Sequence, residues 1–229
     1  MIHIEHFTFN AFQERTLAVW DNDGNCAFVD PGFSSSSEQE RLVSFVNAKR
    51  LKPVCIMLTH AHFDHIYGVA ALAREYDIPV YMHAREVHTL EVTNPYLCTA
   101  FGLPEPDAFE WNPIQEAGKE DPVSGSNEIH VGNLKFEVLE TPGHTPGGVC
   151  FLERAEKVLI SGDTLFAGAI GRTDHPGGDY DQLMRSIFEK LICLDGDVAV
   201  IPGHGPDSSI ADERMTNPFL LPFNQPLED

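Results

Sequence analysis

The apolar run Val54-Cys55-Ile56-Met57-Leu58 passes through a single threonine into His60-Ala61-His62-Phe63-Asp64-His65. A continuous apolar run of this length, bounded by Pro53, predicts a fully buried strand. From Ile66 to Tyr76 apolar residues recur at helical spacing. The cluster of ligand-type side chains therefore falls where a buried strand ends and a helix begins, where α/β proteins place their chemistry. In an extended segment His60 and His62 point to the same side. A neutral imidazole offers one nitrogen to a metal, so the two can bind one ion together. Asp64 and His65 lie a turn further on and can serve a second ion. A lone histidine is more often a satisfied core or surface residue, but this packing of ligand types directly after a buried strand favours metal binding.

The rest of the chain reads as two strand-rich halves. Residues 2–9, Thr16 to Trp20 and Cys26 to Val29 have strand patterns, with Asp23-Gly24 as a hairpin turn signal. Ser34 to Ser37 offer N-caps for a helix from about Glu38 to Leu51. Pro79 to Met82 is a further strand, followed by a helical stretch around Ala84 to Glu91. Residues 92–128 are Pro- and acid-rich with weak periodicity, and predict an irregular excursion with short helical turns, forming one wall of a site. Strands recur at Leu134 to Leu139, Val149 to Leu152, Lys157 to Ile160 and Val198 to Ile201. Tyr180 to Leu194 reads as an amphipathic helix with Asp179 as its N-cap. The tail from Asp212 is short and Pro-rich. One domain spanning residues 1–229 is expected.

Three more ligand-type residues share one context, a turn after a strand. His144 sits in Glu140-Thr141-Pro142-Gly143-His144-Thr145-Pro146-Gly147-Gly148. Asp163 sits in Ser161-Gly162-Asp163-Thr164, and His204 in Pro202-Gly203-His204-Gly205. Flanking glycines suggest a tightly shaped backbone that presents each side chain.

With these residues in order, the sequence resembles the metallo-β-lactamase superfamily: His60-x-His62-x-Asp64-His65, then His144, Asp163 and His204. The resemblance implies an α/β fold, a four-layer αββα sandwich of two mixed β-sheets flanked by helices. It implies that His60, His62 and His144 hold a first metal ion, that Asp64, His65 and His204 hold a second, and that Asp163 bridges both. It also implies that Asp30, at an early strand end, supports the metal loop without binding metal.

Within the superfamily the chain looks like the glyoxalase II branch, through Thr59 to His65, Ser161 to Phe166 and Gly171-Arg172-Thr173-Asp174. Secreted β-lactamases of the superfamily typically carry a cysteine in the second metal site, which is absent here. The implied chemistry is hydrolysis. Two divalent ions about 3.5–4 Å apart share a hydroxide that attacks the acyl carbon of a thioester or related ester. One ion polarises the carbonyl, the other stabilises the leaving group, and Asp64 also orients the nucleophile. His and carboxylate donors suit zinc, and also iron or manganese. Full-length glyoxalase II enzymes carry a C-terminal helical domain that grips glutathione, and the stretch after His204 is too short for one. The expected substrate is therefore a hydroxyacylglutathione-like thioester or a related ester. A lactone is one alternative, and a mononuclear iron persulfide dioxygenase is a reading from another enzyme class. A non-catalytic metal-binding protein is disfavoured by the intact ligand set.

Arg172 is a candidate substrate clamp, with a loop-fixing salt bridge to Asp174 or Asp179 as the competing reading. Tyr67 reads as a packing residue. His3, His6, His83, His88, His130 and His175 fit no ligand pattern, although His175 is close enough in sequence to the Arg172 loop to reach a pocket.

Composition narrows the remaining classes. A formal net charge of −20 opposes nucleic-acid binding. No apolar run approaches the ~20 residues of a membrane span, and the N-terminus lacks the pattern of a secretory signal. The five cysteines form no C-x-x-C pair and read as free thiols in a reducing compartment. A cytoplasmic enzyme of a small-molecule substrate, without nucleic-acid or membrane partners, is expected.

Overall fold

The structure is a computed structural model and describes residues 1–114 and 128–221. Two six-stranded mixed sheets face each other. The first contains β1 (His3–Phe9), β2 (Glu14–Trp20), β3 (Asn25–Val29), β4 (Lys52–Met57), β5 (Val80–His83) and β6 (Asn112–Ile114), in that spatial order. β1 to β3 pair antiparallel, and β3 to β6 pair parallel. The second contains β7 (Glu128–Val131), β8 (Leu134–Glu140), β9 (Val149–Glu153) and β10 (Val158–Gly162). A small ribbon of β11 (Leu165–Phe166) and β12 (Ala169–Ile170) follows, and β13 (Ala199–Pro202) and β14 (Ser208–Ser209) complete the second sheet.

Helices cover the outer faces. α1 (Ser36–Lys49), α2 (Phe63–Ile66), α3 (Val69–Tyr76) and α4 (Asn94–Phe101) belong to the first half, α5 (Tyr180–Ser186) and α6 (Ile210–Thr216) to the second. Ser35 caps α1 by accepting from the Glu38 N–H, and Asp179 caps α5 by accepting from the Gln182 N–H. Among the described residues no helix is long and apolar enough to cross a membrane.

Three buried clusters give the four layers their order. Between the sheets lie Leu17, Val29 and Met57 against Phe136, Phe151 and Ile160. Outside the first sheet, Phe28 and Ile56 pack on Leu42 and Val46 of α1 and Leu72 of α3. Outside the second, Leu152, Leu159 and Val200 pack on Leu183, Ile187 and Ile210. The alternation explains the apolar run at β4: Cys55 and Met57 face the inner core while Ile56 and Leu58 face the outer one. Both faces are buried, as parallel strands require. The αββα sandwich read from the resemblance is the observed fold.

Several local expectations need correction. The helix expected from Ile66 to Tyr76 starts only at Val69, after α2 ends at Ile66 and the chain turns at Gly68, whose N–H donates to the Pro31 carbonyl at 2.8 Å. The helix expected over 180–194 is α-helical only to Ser186. Ile187–Leu191 is a π-helical turn closed by the Ile192 N–H on the Ile187 carbonyl, and Leu183, Ile187 and Leu191 all stay on the sheet. From residue 92 the helical turns expected in the excursion are those of α4, while β6, which was not expected, adds a parallel edge strand to β5. The part of that expectation covering 115–127 lies outside the described residues. The tail expected from Asp212 starts inside α6, capped by Ser209 accepting from the Asp212 N–H.

Candidate metal centre

Four segments that follow strands bring the expected side chains together. His60 and His62 follow β4, and Asp64 and His65 ride on α2. His144 lies between β8 and β9, Asp163 directly after β10, and His204 directly after β13. Backbone shape allows the approach. Gly162 has φ +48°, in the left-handed region that favours glycine. A Cβ on Gly203 would stand 2.4 Å from Asp163 Oδ1 and 2.7 Å from His65 Cε1, so only glycine lets these two loops close.

Two clusters form. His60, His62 and His144 place one nitrogen each within 4.8 Å of one another, and so do the donor atoms of Asp64, His65 and His204. In the second cluster His65 Nε2 lies 3.2 Å from His204 Nε2 and 3.9 Å from Asp64 Oδ2. Asp163 stands between the clusters. Its Oδ1 is 3.5 Å from His65 Nε2, and its Oδ2 is 3.6 Å from both His144 Nε2 and His204 Nε2.

The donor set fits divalent cations. His60 Nε2, His62 Nε2, His144 Nε2 and Asp163 Oδ1 are shielded from solvent and have no hydrogen-bond partner among the described residues. Buried polar atoms without partners are costly and rare, and here four converge. A lone pair on each is what a cation accepts.

The opposite ring nitrogens are already committed. His144 Nδ1 donates to the Arg172 carbonyl at 2.7 Å, and His204 Nδ1 to the Phe12 carbonyl at 3.1 Å. His65 Nδ1 meets Asp30 Oδ2 at 3.2 Å, and His60 Nδ1 meets Thr59 Oγ1 at 3.1 Å. Such outer contacts fix the tautomer and leave Nε2 facing inward. Asp30 itself accepts from the Thr59 N–H at 2.7 Å and from the Thr59 hydroxyl. Its φ of +47° marks a backbone held in a sparsely populated region.

Electrostatics split the clusters. Burial, then the neighbouring imidazoles, hold His60 and His62 well below the ordinary histidine pKa. Burial pushes His144 down to about 4. Burial also disfavours charge on His65, but Asp163, Asp64 and Asp30 outweigh it and raise its pKa well above normal. His204 is likewise raised, with Asp64 and Asp163 overcoming its burial.

Two residues escaped the sequence reading. Glu86 is fully buried and accepts from the Ala61 N–H at 2.7 Å and the Gly147 N–H at 2.8 Å. It staples the His60–His62 segment to the His144 turn. Asn94 donates from Nδ2 to the Ala61 carbonyl at 2.8 Å, tying the start of α4 to the His60–His62 segment. Its signal is Asn94-Pro95 with proline in the first helical turn. The Arg172 guanidinium is taken by Asp174, at 2.9 and 3.1 Å, on the surface. It is the backbone carbonyl of Arg172 that reaches the centre. Tyr67 packs its ring on Phe63 and donates its hydroxyl to the Pro104 carbonyl, as a packing residue does.

A sandwich with this edge, carrying two His/Asp clusters joined by a shared aspartate, is the arrangement of metal-dependent hydrolases. The family pattern of the Metallo-beta-lactamase superfamily matches residues 11–204, and the chain belongs to that superfamily. The hydroxyacylglutathione hydrolase GloC of Haemophilus influenzae is 36% identical over 219 residues, covering 96% of this chain and 98% of that one. BLEG-1 B3 metallo-beta-lactamase superposes with a TM-score of 0.84 at 34% identity, over 95% of this chain and 99% of that one. TTHA1623, solved in a di-iron-bound form, gives 0.79 at 35% identity, over 94% and 100%.

Proposed function

We propose that the chain is a dinuclear metal-dependent hydrolase that cleaves thioesters of the hydroxyacylglutathione type. The observation that carries this reading is Asp163, whose carboxylate reaches imidazoles of both clusters at 3.5 and 3.6 Å. His60, His62 and His144 would hold one ion and Asp64, His65 and His204 the other, with Asp163 common to both. A pair of divalent ions supplies a water of near-neutral pKa and polarises an acyl carbonyl.

The chain's own groups do the positioning. Asp30, Thr59 and the carbonyls of Phe12 and Arg172 fix the ring planes. Asp64, 3.5 Å from His204 Nε2, presents a carboxylate beside the reacting face and orients the nucleophile. A thiolate leaves with little need for protonation, which suits a site whose histidines are engaged elsewhere. The donors suit zinc, iron or manganese. The di-iron form of TTHA1623 and the name of GloC support two ions and a hydroxyacyl thioester.

The test is turnover of S-lactoylglutathione and a panel of thioesters, esters and lactones by the metal-loaded protein. Thioester hydrolysis that stops on chelation and returns with metal is expected. Oxygen uptake on glutathione persulfide without thioester hydrolysis would contradict the reading, as would turnover confined to lactones.

A further inference from the structure

Of the five clustered histidines, four are aimed by a hydrogen bond. The nitrogen opposite Nε2 meets the Thr59 hydroxyl in His60, Asp30 in His65, the Arg172 carbonyl in His144 and the Phe12 carbonyl in His204. His62 is the exception: among the described residues no such bond holds its ring, Nε2 is unpartnered, and the side chain makes no cap to α2.

Rings hold it instead. His62 stands edge-on to His60 at 4.8 Å and 89°, to His144 at 4.6 Å and 84°, and to His175 at 4.7 Å and 86°, between ring centroids and planes. His60 and His144 belong to the same donor cluster as His62, and His175 does not. His175 also stands edge-on to His144, at 5.1 Å and 89°. Edge-to-face ring pairs have a preferred geometry, so such a contact sets the plane of a ring as well as filling space.

The His175 ring is carried by a braced loop. The Pro176 carbonyl accepts from the Thr93 hydroxyl at 2.7 Å. The Gly178 N–H donates to the His175 carbonyl at 2.9 Å, and the Asp179 N–H to the Gly143 carbonyl at 2.8 Å. A Cβ on Gly178 would stand 2.3 Å from the Thr173 carbonyl oxygen, so the turn closes only on glycine. Asn94, next to Thr93, donates to the Ala61 carbonyl beside His62 at 2.8 Å. The start of α4 therefore ties down both the loop that carries His175 and the segment that carries His62. The same loop holds His144 through the Arg172 carbonyl. His175 Nε2 is shielded from solvent and has no hydrogen-bond partner among the described residues, so what His175 offers its neighbours is a ring.

We propose that His175 is a positioning residue for the first metal ion, its ring setting the plane of His62 that no hydrogen bond sets. The proposal rests on the two-ion reading above. It gives the role to the flat ring and to neither nitrogen, so a phenyl ring can take its place. Without a ring there, His62 is free to turn about its side-chain bonds, and the His60–His62–His144 site loses affinity. The Asp64–His65–His204 site keeps its ion, because Asp30 and the Phe12 carbonyl still aim its histidines.

The experiment is a cobalt(II) titration of the metal-free full chain, followed by visible absorption, in the wild type, His175→Ala and His175→Phe. The wild type should take up about two ions. His175→Ala should bind one of them as the wild type does and the other about 10–100-fold more weakly. His62→Ala, which removes a donor of the first site, identifies the weakened ion by its absorption band. His175→Phe should titrate like the wild type. Wild-type binding of both ions by His175→Ala overturns the proposal. So does equal weakening in His175→Phe and His175→Ala, which would give the role to a nitrogen. If circular dichroism shows that His175→Ala does not fold, His175→Leu, which fills the space without a ring, is read in the same way.

Imidazole NMR of the metal-free protein gives a readout independent of metal and of turnover, with the His62 signal assigned by its absence from His62→Ala. That signal should be single and sharp in the wild type and in His175→Phe, and broadened or doubled in the variant without a ring. The same His62 signal in all three proteins overturns the proposal. If the wild type binds no cobalt, the two-ion reading falls, and the NMR comparison still decides the role of His175.

Discussion

Asp30 accepts the backbone N–H of Thr59 at 2.7 Å, fixing the chain one residue before the first clustered histidine. The same carboxylate meets His65 Nδ1 at 3.2 Å, so one buried side chain sets the direction of both halves of the His60–His65 segment. Replacing it with alanine should leave the fold intact and weaken metal binding by about 10–100-fold, the usual effect of losing an outer-layer partner. Competition against a chelator measures this, and circular dichroism checks the fold.

Glu86 makes a second bridge, between the Ala61 and Gly147 N–H groups. Burial raises its carboxyl pKa, yet it is held by donors from two loops. Glu86→Ala leaves two backbone donors without their partner and should lower stability by about 1–3 kcal/mol. Denaturant unfolding of the metal-free protein gives the value. Glu86→Gln, which retains one acceptor oxygen, should fall between.

Asp21 ties the first sheet to the second. Its carboxylate accepts from the N–H groups of Asp23, Asn25 and Asn133, each at 2.9 Å, and from Asn25 Nδ2. Burial opposes its ionisation, but these four donors outweigh it and bring its pKa to about 2, from an ordinary 3.8. A depressed folded pKa means the unfolded chain binds the proton more readily. The stabilisation is therefore complete above about pH 4 and disappears as the pH falls through about 2. Asp21→Ala should unfold at a lower temperature than the wild type at pH 7, with the gap closing as the pH approaches 2.

Asp163→Ala removes the carboxylate that reaches both clusters. Hydrolysis should fall by about 100-fold or more, and metal content should drop with it. An alanine variant that keeps full metal and activity would show the two clusters to be independent of this residue.

The seven clustered side chains were legible because each follows an apolar strand and carries its own chemistry in its side chain. Asp30 was legible only through the family resemblance. Glu86 and Asn94 were not, because they act on the backbone of Ala61, a contact between distant segments that leaves no local pattern. The role of Phe12 is still harder to read, since its carbonyl, not its ring, holds His204. The helix interruption at Gly68 follows from a tertiary hydrogen bond to Pro31, which overrides apolar periodicity, and the one at Ile187 from a local π-turn bond between Ile192 and Ile187. α6 did carry a signal, Ser209 three residues before Asp212, hidden by the prolines that follow it.

Metal content per chain, by elemental analysis of protein purified without chelator or added metal, tests the central claim most directly. The geometry of Asp163 predicts about two ions per chain, of zinc, iron or a mixture. About one iron per chain and little else would contradict the dinuclear hydrolase and point to oxygen chemistry instead.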